Sequence, residues 1–129
     1  MKLTHHSEYL PLESVLVKKA AYAFRSQAFV EEQWKELNYL SRPDFEASKS
    51  EFQGFESWLN ANVSEVHTFP TAEGVTIDSI YCRDASIATD FGVIICRMGK
   101  QARMPEPRAQ AAYYEEHSIP ILGRIEAPG

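Results

Sequence analysis

Cysteine is scarce in this chain. Cys82 and Cys96 are too few and too far apart for a disulfide framework or a zinc site, and both sit among apolar neighbours. They read as two buried thiols in a reduced compartment, so a cytoplasmic location is expected. Long apolar runs are missing as well: no segment approaches the roughly 18 residues of a membrane span, and Met1 to Glu8 lacks the apolar core of a signal peptide. Positive charge is in deficit. Thirteen Lys and Arg against 18 Asp and Glu leave a net charge of -5 with no basic face, which argues against nucleic acid. No metal or other cofactor is expected, and the adjacent His5 and His6 are given no role.

What is present is a chain of 129 residues, 44% hydrophobic and 24% charged, with no low-complexity tract and no linker. That length suffices for one domain burying about two thirds of its unfolded surface. Ser14 to Lys19 reads as a short buried strand. From Ser26, a residue able to cap, Phe29, Val30, Gln33, Trp34 and Leu37 recur at helical intervals. Pro43 behind Ser41 opens a second helix whose apolar stripe, Phe45, Phe52, Phe55 and Leu59, is expected to pack on a sheet.

Val63 to Phe69 alternates apolar and polar as a half-buried strand does, and Pro70 to Gly74 is a loop. Strands are expected at Asp78 to Asp84 and at Phe91 to Arg97. A proline-marked loop from Met98 to Pro107 then leads into a helix with Ala109, Ala112 and Tyr113 on its inner side. Ile119 to Ile125 closes as a strand, and Glu126 to Gly129 as a turn. The alternation is that of an α/β protein. A unit of two strands, a helix and a strand is expected from about Asp78 to Ile125 and, less completely, before it.

The chemistry concentrates in Asp78-Ser79-Ile80-Tyr81-Cys82-Arg83-Asp84. Charges between core strands are costly, so such a cluster is either a structural ion pair or a site for a charged ligand. On a regular strand Asp78, Ile80, Cys82 and Asp84 would share one face. Two carboxylates there suit a guanidinium, which is planar, always charged and a rigid fork of donors. The alternative is an intrachain pair with Arg83, Arg97 or Arg103. Cys82 makes a poor nucleophile, because flanking carboxylates disfavour its thiolate.

Glu32 to Tyr39 with Arg42-Pro43-Asp44, the run Asp78 to Asp84, the loop Met98 to Arg103 with Glu106-Pro107, and Gly123 to Gly129 together resemble the first half of the guanidino-group-modifying superfamily. That superfamily includes arginine deiminases, dimethylarginine dimethylaminohydrolases and amidinotransferases. The resemblance is collinear over nearly the whole chain. It implies a partial pentein propeller, about two ββαβ modules of a five-module ring, and an arginine-like guanidino compound as ligand. In such enzymes a cysteine attacks the guanidinium carbon, a histidine protonates the departing amine, and carboxylates hold the substrate.

Carried over, Asp84 is similar to the aspartate that grips the guanidinium, Asp78 to one at the pocket edge, and Arg103 to an arginine that takes the substrate's carboxylate. Arg83 departs from the dimethylarginine hydrolases, which carry glutamate there, and agrees with the deiminases. The family's catalytic histidine and cysteine come later than the residues matching this chain. The expectation is therefore an amino-terminal fragment of an amidinohydrolase or amidinotransferase, with part of a substrate pocket and no turnover alone. Two other roles are a non-catalytic guanidino-binding module and one half of a split enzyme. The cut ring would favour self-association or pairing with a carboxy-terminal chain.

Overall fold

The computed structural model describes residues 6–128, so the amino-terminal residues up to His5 and the last residue of the closing turn, Gly129, lie outside the described residues. The chain gathers into two compact units. One is Pro11–Ile80, and the other runs from Tyr81 onward together with the residues up to Leu10.

In the Pro11–Ile80 unit, β1 (Ser14–Val17) and β2 (Glu65–Thr68) form a parallel pair in which Val15 stands opposite Val66 and Val17 opposite Thr68. Three helices lie between them in sequence: α1 (Ala20–Phe24), α2 (Gln27–Gln33) and α3 (Phe45–Asn62). The α2 cap is the one the sequence announces, with the Ser26 hydroxyl accepting from the Phe29 amide at 3.1 Å. For α3 the capping residue is Asp44, whose carboxylate accepts from the Ala47 amide at 2.7 Å. Val17, Leu59 and Val63 form a buried cluster, with Val15, Phe52 and Val66 packed against it. Phe55 lies off that stripe and is half exposed, as is Trp58, so the aromatic face expected to be core is only partly covered. Val30 and Ile77 are wholly buried, each worth about 2 kcal/mol of apolar burial.

The second unit holds a three-stranded sheet in the order β3-β4-β5, made of β3 (Ser86–Thr89), β4 (Gly92–Ile95) and β5 (Ile121–Arg124). β3 and β4 are antiparallel. β4 and β5 are parallel and joined through α4 (Pro105–Glu116). The order strand, strand, helix, strand expected here is therefore present, but displaced. Asp78 to Asp84 is not a strand: Ile77–Ile80 and Cys82–Ala85 are single 3-10 turns, closed by Ser79 N–H to Thr76 O at 3.0 Å and Asp84 N–H to Tyr81 O at 3.3 Å. Aspartate and serine favour such turns over an extended ladder. The first strand of the unit begins only at Ser86. Among the described residues no helix is long and apolar enough to cross a membrane.

Candidate functional site

With 3-10 turns in place of a strand, the common face expected for Asp78, Ile80, Cys82 and Asp84 does not form. Asp78 is buried in the first turn and belongs to the Pro11–Ile80 unit. Arg83, Asp84 and Arg103 belong to the other. Arg83 reaches Glu8 at 3.2 Å, with both side chains about nine-tenths exposed, a solvated pair of little energetic weight. Arg97 is exposed.

Asp84 and Arg103 are brought together. Arg103 Nη1 donates to Asp84 Oδ2 at 2.7 Å, making Arg103 the intrachain partner among the three arginines close in sequence. The same guanidinium lays its other edge on Glu106, Nε to Oε1 and Nη2 to Oε2, both at 2.8 Å. Nη2 also donates to the Tyr81 carbonyl at 3.1 Å. Burial differs sharply across this triad: the Glu106 side chain is 3% exposed, that of Arg103 12% and that of Asp84 53%. Hydrogen bonding to Glu106 is the largest influence on Arg103 and raises its pKa further above the guanidinium range, against the opposing effect of burial; Asp84 adds to the rise. One guanidinium faces two carboxylates, so the cluster keeps a negative charge, and Asp84 is the member that meets solvent.

The turn carrying Asp84 is held from one side of α4. Glu106, Gln110 and Tyr114 recur every four residues along that helix, and all three are buried. Glu106 acts through Arg103. Gln110 Nε2 donates to the Cys82 carbonyl at 2.7 Å, and its Oε1 accepts from the Ser86 hydroxyl at 2.7 Å. The Ser86 and Tyr114 hydroxyls are 2.7 Å apart. Burial pushes the Tyr114 phenol up, and the Ser86 hydrogen bond opposes this. The helix face expected inward was Ala109, Ala112 and Tyr113. Tyr113 is buried, but Ala112 is exposed, and the inner positions belong to this polar row with Ala111. The row was missed because glutamate and glutamine usually face solvent; its four-residue spacing was the available signal.

Cys82 and Cys96 are half-buried and not joined in a disulfide, and burial pushes the Cys96 thiol up. Among the described residues no group of three or more His, Cys, Asp or Glu side chains gathers as metal ligands do.

No protein-family model matches the chain, and no curated protein matches it. Solved structures do. A dimethylarginine dimethylaminohydrolase adduct with 4-chloro-2-hydroxymethylpyridine superposes with a TM-score of 0.67 at 22% identity, over 92% of this chain and 42% of that one. The enzyme of the same name from Pseudomonas aeruginosa, a cysteine-to-serine variant complexed with citrulline, gives 0.66 at 22% identity, over 93% and 44%. A histidine-to-glycine variant, as an adduct with S-methyl-L-thiocitrulline, gives 0.68 at 21%, over 92% and 43%. The chain thus spans less than half the length of the structures it matches. Over more than nine-tenths of its own length it has the fold found in dimethylarginine dimethylaminohydrolase chains.

Proposed function

We propose that this chain is part of an enzyme acting on the guanidino group of an arginine-like compound, and that it supplies carboxylate contacts to the guanidinium without the covalent machinery. The observation that carries the reading is the fold likeness, more than nine-tenths of this chain against 42% to 44% of dimethylarginine dimethylaminohydrolase chains. In this reading the chain corresponds to about two modules of a pentein ring. Asp84 is the principal contact. It is half exposed, carries the negative charge that Arg103 leaves uncompensated, and can accept the paired N–H groups of a planar cation. Arg83, on the same turn, is the other candidate contact.

A complementary chain belongs to this reading. The outer edges of β3 and β5 have no strand partner among the described residues, and Ile87, Phe91, Leu122 and Ile125 on and beside these strands are exposed. Calorimetry with arginine, agmatine and dimethylarginine tests the proposal. Binding by the wild-type chain that Asp84→Ala abolishes supports it. An absence of heat at millimolar ligand contradicts it.

A further inference from the structure

Resting on the reading of Asp84 as a guanidinium contact, we infer that Arg103 is a positioning residue, fixed by Glu106 to hold the Asp84 turn, and does not receive a substrate carboxylate. A guanidinium has five N–H donors. Four of them are committed within the chain: Nε and one Nη2 hydrogen to Glu106, the other Nη2 hydrogen to the Tyr81 carbonyl, and one Nη1 hydrogen to Asp84. A carboxylate bound in the usual paired manner needs two parallel donors on one edge of the fork. The Nε/Nη2 edge is occupied by Glu106 through both oxygens. On the Nη1/Nη2 edge, Asp84 and the Tyr81 carbonyl are already seated. An incoming carboxylate would have to displace a charge-assisted contact already made.

The geometry instead makes a relay. Glu106 sits in the first turn of α4, where the helix dipole favours its charge, and it is almost wholly buried. Arg103 passes that fixed position on to both ends of the turn it touches, the Tyr81 carbonyl and the Asp84 carboxylate. Gln110 fixes the middle at the Cys82 carbonyl. Asp84 is thereby presented with its orientation set before any ligand arrives.

The test uses the full chain, first without ligand. The Arg103 Nε proton, followed by nitrogen-proton correlation spectra, is expected to be protected from exchange in wild type and in Asp84→Asn, and to lose protection in Glu106→Gln. The Asp84 carboxyl carbon signal should also shift in Glu106→Gln, a response that a merely structural glutamate would not transmit. Rapid exchange of the Nε proton in ligand-free wild type overturns the inference whatever binds. Affinities for arginine and for agmatine, which lacks the carboxylate, are then compared.

Arg103→Lys and Glu106→Gln should weaken both ligands by the same factor, on the order of tenfold, as expected within one hydrogen-bonded network. Weakening of arginine alone shows that Arg103 binds the carboxylate and overturns the inference. Should Glu106→Gln fail to fold, Arg103→Lys carries the comparison. If neither ligand binds the wild type, the proposed function fails, while the Nε proton and the Asp84 signal still decide the positioning role.

Discussion

Arg103 lays its Nε and Nη2 edge on the carboxylate of Glu106, three residues further along the chain, at 2.8 Å to each oxygen. Both groups are nearly out of water, so the pair is a fixed point of its unit. Removing one partner strands the other's charge. Glu106→Ala is expected to destabilise the protein by about 3 kcal/mol, with Asp84 as partial compensation for Arg103. The double replacement Arg103→Met with Glu106→Leu should regain most of that loss, because the desolvation of both charges disappears together. Urea unfolding of the single and double variants measures both; a double variant as unstable as Glu106→Ala would contradict the account.

Gly92 opens β4 with φ at +154° and lies against β5. A Cβ built there would sit 2.5 Å from the Pro120 carbonyl oxygen and 3.0 Å from Leu122 Cγ. That carbonyl already accepts from the Val93 amide at 2.8 Å, so it cannot simply retreat. Gly92→Ala should therefore cost about 2 kcal/mol or more and raise the exchange rate of the Val93 amide. Unchanged protection at Val93 would show that the strand accommodates the methyl group.

Tyr114 is held neutral by burial, with its phenol pushed up from the ordinary tyrosine value. The unfolded chain gives up that proton at lower pH than the folded one. Stability is consequently whole below about pH 10 and falls as pH rises above it toward the folded value. Tyr113, raised likewise by burial and by Glu116, adds to the fall, and Cys96 adds to it from a lower pH. Tyr114→Phe should lose about 1 kcal/mol at neutral pH, since Ser86 keeps Gln110, and should show a shallower alkaline decline. Denaturant midpoints between pH 7 and 11 check both signs.

Local signals in the sequence carried well where a single side chain decides the outcome. Ser26 caps α2 as its position before the periodic run indicates, and Val63 to Phe69 contains β2. The first helix, Ala20–Phe24, was not foreseen: five residues give little more than one turn of periodicity, too little to register. Asp78 to Asp84 alternates like a strand, but the turn preference of aspartate and serine prevails and β3 starts later. The closeness of Asp84 and Arg103 was open to inference from charge. The burial of Glu106 was signalled only by its four-residue spacing with Gln110 and Tyr114, because its pairing depends on a guanidinium 19 residues from Asp84 choosing both carboxylates at once, a matter of tertiary packing.

The most direct test of the central claim follows the backbone amides of Tyr81 to Ala85 while arginine is added to the full chain. The account predicts saturable shifts concentrated on that turn and on the Arg103 side chain, absent in Asp84→Ala, with no citrulline formed. Shifts that miss the turn at millimolar arginine, or citrulline accumulating in the tube, would contradict it.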